Sequence, residues 1–176
     1  MSELRTNRIV PIDGLKSGAS GGIIQIVSQT SSSQATSQST SWSTTGLEAT
    51  ITPKFSTSKI LVVIDQPYHM SRSAETCSGG FKVLRGDTEI ATPNGTGSSG
   101  GTSPYSCSYE FGGASSASIV DRWSFMILDS PSTTSATTYK VQMACQTGNN
   151  SGRIRAQYSG TSGDQKAHIA LMEVSV

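Results

Sequence analysis

His69 and His168 are the only imidazoles in the chain. Neither is followed by Cys, Asp or Glu at i+2 or i+4, the offsets that bring two ligands to one side of an element. Neither precedes a GxSxG-like nucleophile elbow. His168 opens an apolar alternation, where a hydrogen-bonded structural role is the simpler expectation. The carboxylates Asp65, Glu75, Asp87, Glu89, Glu110, Asp121, Asp129, Asp164 and Glu173 fall mostly at the ends of apolar stretches. Glycoside cleavage needs two carboxyl groups facing each other across a cleft, and no local pattern sets up such a pair. Cys77, Cys107 and Cys145 contain no CxxC, which leaves zinc unsupported. Their odd number argues against a closed disulfide framework, so buried or half-buried thiols are expected.

Three further motifs resolve into turn chemistry. The glycine-rich run Pro93–Pro104, PNGTGSSGGTSP, is not followed by Lys-Ser/Thr or by a helix, so it is a surface loop and not a phosphate cradle. Arg85-Gly86-Asp87 matches a receptor-binding tripeptide, but Gly-Asp is ordinary hairpin chemistry. Asn94-Gly95-Thr96 and Asn149-Asn150-Ser151 match the glycosylation sequon. The N-terminus, MSELRTNRIVPIDG, lacks the apolar core of a signal peptide, so synthesis in a cytosol is expected and both sequons read as turns. No catalytic residue, cofactor or metal is expected.

The elements that would position any site are strands. Only 34% of the 176 residues are hydrophobic and 14% charged, while Ser, Thr and Gly abound. That is too polar for a helical bundle and too little charged for most disordered chains. It suits a β-protein whose outward faces are hydroxylated. A net charge of +1 gives no field to hold nucleic acid or an acidic membrane surface. No apolar run approaches the ~20 residues that span a bilayer as a helix.

Residues Val120–Asp129 place Trp123, Phe125 and Ile127 on one face and Met126 and Leu128 on the other, so the strand should be covered on both sides. Asp129-Ser130-Pro131-Ser132 breaks it. Tyr139, Val141, Met143 and Cys145 then alternate with polar neighbours in a second strand. This pair is expected at the middle of the domain. Gly22–Ser28 is a short β-branched strand, and Gln29–Thr45 a Ser/Thr-rich loop or edge strand docked by Trp42. Leu47–Ile51 and the apolar run Ser58–Asp65 are strands, and Asp65–Gly80 is a loop. Phe81–Arg85 and Glu89–Ala91 form a hairpin. Tyr105–Glu110, Ile154–Tyr158 and Ala167–Val176 complete the set. Such regularly spaced short strands predict an all-β antiparallel sandwich, jelly-roll-like, over residues 23–176.

Residues 1–22 form a separate piece. Pro11 and four glycines prevent a long helix, and Leu4, Ile9, Val10, Ile12 and Leu15 are too few to build a core. With Arg5 and Arg8 they could anchor an extended arm against another subunit. Tyr68, Tyr105 and Tyr158 are the candidate exposed aromatics for contact with a glycan or protein.

Three stretches carry a resemblance. MSELRTNRIVPIDGL with GASGGIIQIV resembles the start of small virion and fibre proteins of short-tailed, T7-like marine cyanophages. LEATITPKFSTSKILVVID and WSFMILDSPSTTSATTYKVQM resemble a β-rich module of marine phage structural proteins. The resemblance implies a non-enzymatic virion component: a trimeric fibre, knob or decoration protein whose arm, residues 1–22, attaches to other virion proteins. It also implies a virion location and contact with a host-surface glycan or protein. A short fibre or knob is expected, with a capsid decoration or cement protein as the alternative and a glycan depolymerase as the least favoured reading.

Overall fold

The computed structural model describes residues 22–72, 76–92, 107–110, 117–146, 152–160 and 165–175. These form eleven strands: β1 (Ile23–Ser31), β2 (Ala35–Ser37), β3 (Ser43–Ile51), β4 (Lys59–Arg72), β5 (Thr76–Arg85), β6 (Thr88–Ala91), β7 (Cys107–Glu110), β8 (Ala117–Asp129), β9 (Thr137–Gln146), β10 (Arg153–Ala156) and β11 (Ala167–Val174). They make two antiparallel sheets packed as a sandwich. The first runs β1-β11-β4-β10-β2, with β8 on the other side of β4; the second runs β3-β9-β5-β6, with β7 also on β5. The all-β sandwich is as expected, and the repeated crossing between sheets is compatible with a jelly-roll-like path.

β4 is the spine of the first sheet. Along one edge it pairs with β8 from Ile60 to Arg72 without a register shift. Its other edge is shared by β11, at Lys59–Asp65, and β10, at Tyr68–Ser71. Gln66 and Pro67 lie in the gap between those two partners. There the chain leaving β10 turns inward: Gln157, at φ 48°, donates its backbone N–H to the Pro67 carbonyl. The side chains of Gln66, Gln157 and Thr45 are fully buried around this gap. The Gln66 amide donates to the Pro67 carbonyl and the Thr45 hydroxyl to the Val141 carbonyl, so buried polar atoms are answered within the chain.

The core lies between the sheets. Ile60, Val62, Ile64, Ile154, Ile169 and Leu171 face Leu47, Ile51, Phe81, Val83, Tyr139, Val141 and Met143. Phe81 sits at its centre, 5.6 Å from the Tyr68 ring and 5.2 Å from Trp123, which stacks in turn on Phe125. At Gly79 a Cβ would lie 3.2 Å from Ile154 of the opposite sheet and 3.1 Å from the Ala144 carbonyl. Close approach of the sheets therefore favours glycine there.

Polar fasteners close the sandwich at its rim. Asp129, at the end of β8, accepts from Arg85 at 2.7 and 2.8 Å and from the Tyr139 hydroxyl at 2.7 Å, tying the two sheets together. Burial, and then this bond to Asp129, push the Tyr139 phenol far above its ordinary range. Elsewhere on the rim, Glu173 accepts the backbone N–H groups of Lys54 and Phe55 and the amide of Gln25. Burial pushes this carboxyl up, but the donors outweigh it and hold it below its ordinary value of 4.5.

Several expectations are corrected. Asp65–Gly80 is not one loop, because β4 continues to Arg72 and β5 begins at Thr76. β8 and β9 are not a central pair: the 130–136 turn carries the chain from one sheet to the other, and β8 is an outermost strand among the described residues. The Gln29–Thr45 tract contains the end of β1, all of β2 and the start of β3. Trp42 is half-buried, with the Lys82 ammonium 4.9 Å above its ring. The β5–β6 hairpin forms as expected, with Gly86 of the Arg85-Gly86-Asp87 tripeptide at φ 58° in its turn. The expected attachment arm lies almost wholly outside the described residues. Its last residue, Gly22, accepts a hydrogen bond from the Ser175 backbone N–H.

Replacing Phe81 by Ala should cost about 3–5 kcal/mol, because the site is walled by both sheets and cannot collapse; urea unfolding followed by Trp fluorescence measures it. Glu173 contributes stability that is present at neutral pH and lost as pH falls from 4.5 through its lower folded-state value. Glu173→Gln should therefore be less stable than the parent at pH 7 and lose less on acidification, as read from unfolding midpoints across that window.

Candidate functional site

The outer face of the first sheet is where this chain departs most from an ordinary solvated sandwich. Antiparallel register sets its side chains in rows, since residues directly opposite share a face. One row runs Ile26, Met172, Leu61, Leu128 across β1, β11, β4 and β8. The next runs Ser28, Ala170, Val63, Met126 across the same strands. Seven of these eight side chains are apolar. Ile26, Met126 and Leu128 are 59%, 67% and 50% exposed, and Leu61, Val63, Ala170 and Met172 are half-buried. The outer face of the second sheet has the opposite character, with Glu48, Thr50, Lys82, Thr138, Lys140 and Gln142 pointing outward.

The expectation of hydroxylated outer faces is therefore corrected for both sheets: the second is polar but carries Glu48, Lys82 and Lys140 beside Thr50 and Thr138, and the first is apolar. The cause is visible in the strands themselves. β4 and β11 are apolar at consecutive positions, and β8 carries Phe125-Met126-Ile127-Leu128, so whichever face packs inward leaves apolar groups outside. β8 was expected to be covered on both sides. Among the described residues it is covered on one.

Toward the far end of β4 the same face becomes polar and aromatic. Arg122 and Asp65 pair through two nitrogens and both carboxylate oxygens, one bond measuring 2.9 Å. His69 and Arg155 are direct neighbours on β4 and β10. An Arg155 guanidinium nitrogen lies 3.2 Å from His69 Nδ1, and Tyr158 stacks on the imidazole at 4.1 Å. The guanidinium also stands 5.3 Å from the centre of the Tyr158 ring. Burial first, and then the charges of Arg155 and Arg153, hold the His69 pKa below 6.5, against a smaller upward pull from a backbone hydrogen bond. A neutral Nδ1 can accept from Arg155, so the cluster presents a cation and an aromatic edge together.

The expected site residues scatter. Tyr68 is not on a loop: it belongs to β4, is 3% exposed, and packs against Phe81 in the core. Its polar neighbour is Asp121, at 3.5 Å from the hydroxyl. Tyr105 and the arm residues Leu4, Arg5, Arg8, Ile9, Val10, Ile12 and Leu15 lie outside the described residues. Tyr158 is half-exposed just beyond β10, the one of the three tyrosines found at a surface among the described residues. Read in sequence, His69 shows no metal-ligand or nucleophile pattern, and Arg155 is not singled out. They come together only because β10 pairs with β4 across more than eighty residues of chain, which no local spacing reveals. Among the described residues no three His, Cys, Asp or Glu side chains gather where a metal ion could sit.

The His69 imidazole should titrate below 6.5 in NMR spectra of the folded protein. Tyr158→Ala, by uncovering the ring, should move that midpoint upward toward 6.5. The unfolded chain takes up this proton first, so the linked stability is lost as pH falls below 6.5 toward the folded-state value.

No protein-family model and no curated protein sequence matches the chain. Among solved structures it is similar to a chain in the structure of infectious bursal disease virus Gx strain. The two share 13% sequence identity at a TM-score of 0.38, over 85% of this chain and 39% of that one. A likeness this loose bears on neither ligand nor partner.

Proposed function

We propose that this chain is a structural protein of a virus particle, a short fibre or knob-like appendage anchored through residues 1–22 and working by contact, not catalysis. The single observation that carries this reading is the apolar outer face of the first sheet. A contiguous apolar face of this kind marks a contact surface, and a subunit that lives in an assembly covers it. The stretches that resemble phage structural proteins add support, because they coincide with mechanically central parts of the fold. Lys59-Ile60-Leu61-Val62 opens the spine β4, and Leu128-Asp129-Ser130-Pro131 holds the carboxylate that ties the sheets together. The Arg155–His69–Tyr158 cluster gives the appendage a cationic and aromatic spot suited to a host-surface glycan or protein.

Particles carrying a chain shortened by residues 1–22 are the test. The shortened protein should fold, yet be missing from purified particles, and those particles should adsorb poorly to host cells while their shells remain as heat-resistant as before. Normal adsorption with fragile shells would instead assign the chain to capsid decoration. Retention of the shortened chain on particles would overturn the anchoring role.

A further inference from the structure

We infer that Arg155 is the centre of a binding site for an acidic sugar, its guanidinium taking the sugar's carboxylate while neighbouring hydroxyl and amide groups take ring hydroxyls. This site deepens the contact role proposed above and rests on it. Its first support is the way the chain treats other arginines. Arg85 holds Asp129, and Arg122 holds Asp65. Arg155 has no carboxylate within ion-pair distance among the described residues, and its polar contact is the neutral His69 Nδ1 at 3.2 Å. A guanidinium carries five N–H donors in a fixed fork, so that one contact leaves most of them unused. Arg155 is also half-buried, which strips water from a cation without supplying its counter-charge.

The guanidinium is held in place. Register sets Arg155 between His69 on β4 and Thr36 on β2. Tyr158 stacks on the imidazole and borders the guanidinium. Gly160 gives the ring its room, because a Cβ there would run into Tyr158. Such ordering reduces the entropy that a long, flexible cation loses on meeting an anion. A planar fork matched to two oxygens favours a carboxylate. Around it, Thr36 is exposed, and the Ser159 backbone N–H donates to the exposed Gln34 side chain at 3.2 Å. These small neutral groups suit the hydroxyls of a sugar ring.

The arrangement couples binding to pH. His69 is faced by Arg153 and Arg155 from β10 and by Tyr158 beyond that strand. On β8 Val120 lies directly opposite; next along that strand, Asp121 stands by the Tyr68 hydroxyl and Arg122 is bound to Asp65. The charges that act on the imidazole are those of the two β10 arginines. An anion seated on Arg155 offsets them, so it raises the His69 midpoint and in turn binds more tightly as pH falls through that midpoint.

NMR titration of the full chain with glucuronate tests the site, with glucose, acetate and an oligoglutamate peptide compared at matched ionic strength. Glucuronate should bind with a Kd of about 1 mM, the affinity that ordinary ligand efficiency gives a molecule of its size, and should move the His69 midpoint upward. Glucose should leave that midpoint in place, and acetate should bind about tenfold more weakly than glucuronate. Arg155→Gln should weaken glucuronate binding by about tenfold or more, and Arg155→Lys, which keeps the charge but not the fork, by less. Arg155 points outward, so both variants should keep the parent's circular dichroism. The midpoint shift needs no variant at all. No response to glucuronate at about 50 mM overturns the inference. So does binding that Arg155→Gln leaves intact, or a His69 midpoint indifferent to bound glucuronate. Acetate or added chloride acting as strongly as glucuronate would show an adventitious ion only, and a peptide that binds more tightly would make the ligand a protein; either result overturns the sugar assignment. These measurements use isolated protein and free sugars, so their failure leaves the attachment of the chain to particles standing.

Discussion

The constraint on which the rest of the structure depends is that β4 must be shared. One fourteen-residue strand carries β8 along a whole edge and divides the other between β10 and β11. Three separate parts of the chain thus meet on a single backbone, and the inward side chains of β4 become the floor of the core. The division has a structural cost, since a strand whose neighbours change leaves a gap between them. That gap falls at Gln66-Pro67, where Pro67 lacks an N–H to satisfy and Gln157 turns in to cap the exposed carbonyl. The buried amides around it are the repair that makes a split edge tolerable.

The interior is otherwise apolar, and the ion pairs and charge-assisted bonds stand at its margins. Asp129 with Arg85 and Tyr139 fixes how far β8 of one sheet sits from β5 and β9 of the other. Glu173 fixes the turn between β3 and β4 through its two backbone donors. Both carboxylates occupy the last inward position of a strand. There a side chain can lose most of its water and still reach partners that a mid-core charge would not find. This division of labour lets a chain with few hydrophobic residues hold two sheets together. The apolar groups fill the middle, and directional bonds set the alignment at the edges.

Much of the fold was legible because strand alternation is a local property. Leu47, Ala49 and Ile51, or Tyr139, Val141 and Met143, announce which side is buried without reference to anything distant. What stayed hidden was everything set by pairing. The stretch from Asp65 to Gly80 looks like a loop because Pro67, His69, Arg72 and two glycines interrupt its apolar pattern. β8 nevertheless templates β4 through to Arg72, and Gly79 and Gly80 extend in β5 because β9 pairs with them. Tyr68 was misplaced for the same reason. The candidate site was legible only in part: Met126 and Leu128 were seen to lie on the second face of their strand, but their alignment with Ile26, Leu61 and Met172 is a matter of register. Arg155 and His69 were invisible as a pair, since only the β4–β10 ladder makes them neighbours.

The position of β11 between β1 and β4 has a bearing on how the molecule is made. It follows all other described strands in the chain, yet it fills an interior slot of its sheet. On a ribosome, β1 must wait for its ladder partner through well over a hundred residues of synthesis, because the strand that joins it to β4 emerges after every other described strand. Closure of that sheet is therefore dominated by distant contacts and correspondingly slow. Truncation anywhere upstream of Ala167 would leave β1 and the flank of β4 as open templates for other nascent chains.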